Sequence, residues 1–181
     1  MTRRLSPRKL ETVDSIKNLN EDLFASEEVD RLHDPIEARK KAMDFLARRE
    51  FGRLELQDRL EAAGFGSEAA RVAVDGLAGE GLQCDSRFVE NFIQSRIDQG
   101  KGPVKIRIEL GERKVASSLI DELLAGTDED WTDMARRVRE KKFGPELPEN
   151  FTEKARQMRF LQQRGYESGQ IQAAVAPHGD N

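Results

Sequence analysis

The sequence predicts an all-α fold made of three tandem three-helix modules, helix-turn-helix-like repeats set in an elongated, curved array. Three observations carry that expectation. The composition, rich in Ala, Leu, Glu, Arg and Gln with 6 Pro in 181 residues and 6% aromatics, favours helices over sheets. A leucine–apolar–serine pattern recurs at intervals of 50 and 51 residues, from Leu60 to Leu110 to Leu161. Between these landmarks, apolar residues return every three or four positions, as in Ala42, Phe45 and Leu46 or Phe88, Phe92 and Ile93.

Residues 1–35 precede the repeat. Leu10, Val13, Ile16 and Leu19 step at helical spacing, but residues 10–35 carry eight acidic against two basic side chains, a net of −6. An acidic, partly mobile extension is expected there. The first module spans 36–81: a helix in ARKKAMDFLARR, a second in LELQDRL after Gly52, and a third after Ser67. The second spans 82–127, with SRFVENFIQSRI, then PVKIRIEL after Gly102, then a helix after Ser117. The third spans 128–177, with WTDMARRVREKK, then EKARQMRFL capped by Thr152, then a helix after Ser168. Trp131 is expected in the core of this module.

In each copy the second helix should close at a glycine, Gly64 or Gly165, because glycine takes the left-handed conformation at little steric cost. Lys114 stands at that place in the middle copy and predicts a turn that is strained or differently shaped. Phe65, Val115 and Tyr166 then turn inward, and Ser67, Ser117 and Ser168 are expected to cap the third helix. Units this small bury little surface alone, so neighbouring modules should pack on each other.

The cluster Gly100-Lys101-Gly102-Pro103 resembles a phosphate loop at first sight. It lacks the Lys-Ser/Thr ending and the preceding strand that such a loop requires, so it reads as a hinge with Gly102 as cap and Pro103 as the first helical residue. Its helix start, with Lys101 and Lys105, could meet a partner's carboxylate or phosphate.

Other chemistry finds no constellation. One cysteine, Cys84, and two histidines, His33 and His178, give no disulfide, metal cluster or nucleophile–base pair, so no enzyme activity and no cofactor are expected. No apolar run approaches a membrane span, and the start lacks a signal peptide, which places the protein in the cytoplasm, away from membranes. The net charge of −4 hides an asymmetry: residues 136–164 hold nine basic against four acidic side chains, a net of +5. Such polarity suits docking on a charged partner.

Three stretches resemble the RecX family of regulatory proteins. They are FLARREFGRLELQDRLEAAGF, CDSRFVENFIQSRIDQGKGPVKIRIEL and RQMRFLQQRGYESGQI, which lie in family order within residues 36–176. Gly52 departs from the serine cap frequent in the family, Lys114 from its glycine, and the acidic extension from its pattern. The resemblance implies a monomeric protein that binds the RecA recombinase filament. It would lie along the filament's groove and inhibit ATP hydrolysis, strand exchange and co-protease activity, thereby modulating recombination, DNA repair and the SOS response. The candidate partner-binding residues are then Lys101, Lys105 and Arg107 in the second module and Arg136, Arg137, Arg156, Arg159 and Arg164 in the third. They would face acidic filament surface or DNA within or near it. The alternative is a helical DNA-binding protein acting directly on nucleic acid, against which the acidic isoelectric point of 5.4 counts.

Overall fold

The structure, a computed structural model, describes residues 32–177. The expected extension lies outside the described residues as far as residue 31. Among the described residues there are nine α-helices and no strand. They are α1 (Pro35–Leu46), α2 (Arg53–Ala62), α3 (Ser67–Gly79), α4 (Asp85–Asp98), α5 (Pro103–Gly111), α6 (Ser117–Ala125), α7 (Trp131–Phe143), α8 (Phe151–Arg164) and α9 (Ser168–Ala174). Packing groups them in threes: α1–α3, α4–α6 and α7–α9 each form a bundle in which every helix touches the other two. No described helix is long and apolar enough to cross a membrane.

The repeat is a recurring piece of backbone geometry. Leu60, Leu110 and Leu161 are fully buried, and their carbonyls accept the N–H of Phe65, Val115 and Tyr166 at 3.1, 3.3 and 3.2 Å. This six-to-one bond closes a helix around a left-handed residue. Gly64 and Gly165 fill that place with φ of 98° and 87°, and Lys114 is the one described non-glycine residue at positive φ, 61°. The strain predicted at Lys114 is thus present. Its ammonium lies 2.6 Å from Asp58, tying the second module to the first. Ala70, Ile120 and Ile171, three residues after the repeated serines, are all buried.

The serines themselves are not caps. Ser67, Ser117 and Ser168 are the first helical residues, and the cap positions are Gly66, Ala116 and Glu167. Extended backbone at those three residues places the helix start one position earlier than the serine rule assumes. At α9, Glu167 and Gln170 form a reciprocal capping box instead. At α8 the cap is Asn150, whose side chain accepts the Glu153 N–H at 2.9 Å, and not Thr152, which lies inside the helix.

The glycine caps of α2 and α5 receive their acceptors from the next module. Gly52 has no side chain to offer, and the Asp85 carboxylate accepts the Arg53 N–H at 2.7 Å. The Phe88 ring stands 3.3 Å from where a Gly52 Cβ would sit. At α5, Gly102 is the cap and Pro103 the first helical residue, as predicted. The N–H groups of Gly102 and Val104 donate to the carbonyls of Arg164 and Gly165 at 2.8 and 3.0 Å. The Gly100–Pro103 cluster, expected as a hinge, is therefore a socket for the end of α8. Its helix start is closed to a partner's anion because α8 already supplies the acceptors.

Around this joint the second and third modules share one apolar core, running from Phe88, Val89 and Phe92 through Ile106, Leu110 and Ile120 to Leu161, Tyr166 and Ile171. Trp131 packs half-buried against it. The first module keeps its own core of Ala42, Phe51, Leu56, Leu60, Ala70, Val74 and Leu77.

Two outcomes test this architecture. A Cβ on Gly165 would overlap Lys105 and one on Gly102 would overlap the Gly165 carbonyl, whereas Gly111 has open space. Gly165→Ala, which also carries positive φ, should cost about 2–4 kcal/mol in urea unfolding, and Gly111→Ala should be neutral or stabilising. Burial raises the phenol pKa of Tyr166, the single tyrosine, to about 12. Folding thus favours the neutral phenol, so that contribution is complete below pH ~10 and is lost as pH rises through about 12. Ultraviolet titration should show ionisation near 12 in the native chain and near 10 in denaturant. Because the Tyr166 hydroxyl has no hydrogen-bond partner, Tyr166→Phe should keep or raise stability.

Candidate functional site

Cations occur all along this chain, so a docking face is distinguished by whether neighbours neutralise them. In the first two modules carboxylates engage most guanidiniums: Arg39 with Glu80, Arg49 with Glu55, Arg53 with Asp75, Arg87 with Glu50, Arg96 with Glu109 and Arg107 with Asp121. On α7 and α8, only two of the described cations do so. Arg137 lies 3.3 Å from Asp133 and 3.6 Å from Glu129, and Arg139 lies 3.2 Å from Glu140. Among the described residues Arg136, Lys141, Lys142, Lys154, Arg156, Arg159 and Arg164 form no ion pair.

The repeat register explains the surplus. Five and two positions before the shared leucine, the first module carries Glu55 and Asp58, and the third carries Arg156 and Arg159. Glu55 and Asp58 are taken up by Arg49 and Lys114. Lys141 occupies the place held by Arg49 and Arg96 in the earlier copies, three residues after Val138, yet finds an arginine where Arg49 finds Glu55. One helix face has exchanged acid for base while its buried leucine stayed fixed.

These cations frame two clefts. The larger, about 660 Å³, lies between the end of α4 and helices α7 and α8. Ile97, Met134, Val138 and Phe160 supply its apolar lining, and Arg137, Lys141, Lys142 and Arg164 its positive rim, with Asp98 and Glu129 as the acidic exceptions. The smaller, about 300 Å³, is lined by Lys142, Phe143, Arg156, Arg159, Phe160 and Gln163. Lys142 and Phe160 belong to both, which joins them into one face. Phe143 and Phe160 meet edge to face at 5.3 Å, and the Arg156 and Arg164 guanidiniums lie 5.6 and 5.2 Å from their ring centres.

The structure gathers some predicted site residues and separates others. Arg137, Arg156, Arg159 and Arg164 share the α7–α8 face. Arg164 is half committed to structure, donating to the Gln99 carbonyl at 2.7 Å across the joint. Arg136 is half-buried, with its Nε enclosed and unpaired. Lys101, Lys105 and Arg107 belong to the second module. Burial pushes the Glu109 carboxyl up, but its hydrogen bond and ion pair with Arg96, together with the charges of Lys101 and Lys105, outweigh burial and leave its pKa lowered. Arg107 is held by Asp121 at 2.7 Å and Glu167 at 3.7 Å.

Two members of the face were missing from the sequence-based set, Lys141 and Lys142. The signal was there: both fall in the basic stretch, and the repeat register marks Lys141. Arg139 in the same stretch is structural, 2% exposed, and donates to the Glu146 and Pro145 carbonyls at 2.8 and 3.1 Å, pinning the α7–α8 loop. Among the described residues no cluster of three or more His, Cys, Asp or Glu side chains is arranged to hold a metal ion.

Comparison with known proteins follows the module boundaries seen in the packing. Residues 85–124 match the family described as RecX, second three-helix domain, and residues 128–175 match RecX, third three-helix domain. The regulatory protein RecX of Halorhodospira halophila is 43% identical over 138 residues, 76% of this chain and 86% of that protein. That of Ectopseudomonas mendocina is 42% identical over 135 residues, covering 75% and 90%. The crystal structure of RecX from Lactobacillus salivarius superposes with a TM-score of 0.67 at 15% identity, over 81% of this chain and 96% of that one, a likeness of fold.

The division between contact and structural cations is measurable. Lys142→Ala, Arg156→Ala and Arg159→Ala should leave thermal stability almost unchanged and elute earlier from a sulfonate exchanger. Arg139→Ala should cost about 2–4 kcal/mol, because it leaves the Pro145 and Glu146 carbonyls without their donor.

Proposed function

The chain belongs to the RecX family of regulatory proteins, and on that premise we propose that it binds the RecA recombinase filament and inhibits its ATPase, strand-exchange and co-protease activities. It acts as a monomer in the cytoplasm, without a cofactor and without chemistry of its own. The observation that carries this reading is the α7–α8 face, where, among the described residues, the cations other than Arg137 lack carboxylate partners and so keep their charge for a partner. An acidic protein surface satisfies such a face without desolvating a charge already in use. Electrostatic complementarity of this kind raises encounter rate and fixes orientation more than it adds raw affinity. The shared core of the second and third modules holds the face rigid, which limits the entropy lost on binding. Lys101, Lys105 and Arg107 contribute a weaker second contact, since carboxylates of the chain already offset part of their charge.

Direct binding to nucleic acid is the second reading, favoured by Phe143 and Phe160 lying beside Arg156, Arg159 and Lys142. The isoelectric point of 5.4 weighs against it as the main activity. Affinity for bare single-stranded DNA that falls steeply with salt would favour this reading, whereas a filament-directed protein binds bare DNA weakly at physiological salt.

The decisive measurement is RecA ATP hydrolysis on single-stranded DNA, titrated with this protein. Joint reversal of Lys141, Lys142, Arg156 and Arg159 to Glu should raise the half-inhibitory concentration about tenfold or more. Reversal of Lys101 and Lys105 should raise it about twofold, in keeping with their partly offset charge. A folded α7–α8 variant that inhibits like the native chain discards the assignment. Inhibition well below one-to-one indicates blocked filament growth, and inhibition only near saturation indicates groove occupancy.

A further inference from the structure

Among the described residues most cations of the α7–α8 face, Arg137 excepted, have no carboxylate partner in their own module, yet the chain carries acidic residues elsewhere. We propose that the acidic segment of residues 10–31 seats in the cleft between α4, α7 and α8 of its own chain, its carboxylates on Lys141, Lys142 and Arg159 and its apolar residues on Phe160 and Val138.

Charge is the first argument. Residues 10–31 hold seven acidic and two basic side chains, a net of −5, against +5 over residues 136–164. Of the cleft's two acidic residues, Glu129 is already drawn to Arg137 at 3.6 Å, so the lysines remain unneutralised. Lys101 and Lys105, the lysines expected at the second module's contact, face Glu109, and the helix start beside them is closed by α8. The cleft is thus the basic surface with the least internal competition.

Pattern is the second argument. Acidic residues alternate with apolar ones along the segment: Leu10-Glu11, Val13-Asp14, Glu21-Asp22-Leu23-Phe24 and Glu27-Glu28-Val29. A cleft with a positive rim and an apolar floor of Met134, Val138 and Phe160 matches both components. Burying one or two such side chains adds an apolar contribution to what screened ion pairs supply.

Tethering is the third. The segment joins Leu32, whose carbonyl accepts the Gly66 N–H at 3.0 Å and fixes that end to the α2–α3 turn. Twenty residues can extend to about 65 Å. The longest described helices have 14 residues, about 21 Å, so the segment can pass several helix lengths. A short covalent tether holds the local concentration near the millimolar range, so weak docking is enough to fill the cleft. Any other anion must then displace the segment, and weaken its hold as salt rises.

The test uses the full chain and a zero-length carbodiimide, which joins only carboxylates and amines in contact. At low micromolar concentration, peptide mapping should recover links from Glu21, Asp22, Glu27 or Glu28 to Lys141 or Lys142. In an equal mixture of ¹⁴N and ¹⁵N chains the linked peptides should carry one isotope, and about 0.5 M salt should abolish them. Links spread equally over Lys40, Lys105 and Lys114, no links at all, or mixed-isotope links alone would overturn the proposal. As a second readout, replacing those four carboxylates by Gln or Asn should tighten binding of a heparin oligosaccharide about fivefold or more at low salt. The gain should vanish when Lys141 and Lys142 are already Gln, and unchanged affinity would also overturn the proposal. Neither readout involves RecA, so the result stands apart from the filament reading.

Discussion

The contact between Gly102 and Gly165 is the constraint on which the arrangement depends. Here the last carbonyls of α8 meet the first N–H groups of α5 backbone to backbone, with no room for a Cβ on either side. The negative end of one helix meets the positive end of another, so each supplies the partners that the other's terminus lacks. That geometry brings Tyr166 and Leu161 into the same core as Ile106 and Leu110. It also sets the Arg164 guanidinium on the Gln99 carbonyl, and so fixes the wall between α4 and α8 that bounds the larger cleft. A side chain at either glycine would push the modules apart and open the face that carries the unpaired cations.

The first joint solves the same problem by other means. Gly52, like Gly102, caps a second helix without a side chain, but its neighbour answers with side chains: Asp85 on the Arg53 N–H, Gln83 on the Phe51 carbonyl, Arg87 on Glu50 and Lys114 on Asp58. The two ion pairs, Arg87–Glu50 and Lys114–Asp58, are worth about 0–1 kcal/mol each and weaken with salt. The first module keeps a separate core, whereas the second and third share theirs. Salt therefore acts mainly on the first joint, and the basic face stays attached to the rigid part of the chain.

Much of this was legible in the sequence because the repeat is written in residues with few alternatives. A buried leucine followed by a left-handed glycine and an inward apolar residue leaves little freedom, and the Lys114 substitution even announced its own positive φ. The serines misled because serine favours both the cap and the first turn, and only backbone torsions separate the two. The Gly-Lys-Gly-Pro cluster gave its local role correctly, with cap and first helical residue in place. Its partner, the end of α8, stands more than sixty residues away and leaves no local mark. Arg139 looked like one more surface cation because its burial depends on where the α7–α8 loop folds back. Charge in sequence counts cations; structure shows which of them already have partners.

That distinction explains how one scaffold can serve two purposes in a single chain. The leucine that fixes each second helix stays buried whatever stands two or five residues before it, positions where Glu55 is half-buried and Asp58, Arg156 and Arg159 are exposed. In the first module they hold Asp58 and Glu55, which the chain uses to bind itself together through Lys114 and Arg49. In the third they hold Arg159 and Arg156, and the lysine at the place of Arg49 forms no ion pair among the described residues. The unsatisfied charge follows from repeating a fold while reversing the sign of its outer positions. Acid facing base within the chain makes a joint, and base facing base makes a surface whose counter-charge must come from beyond the module.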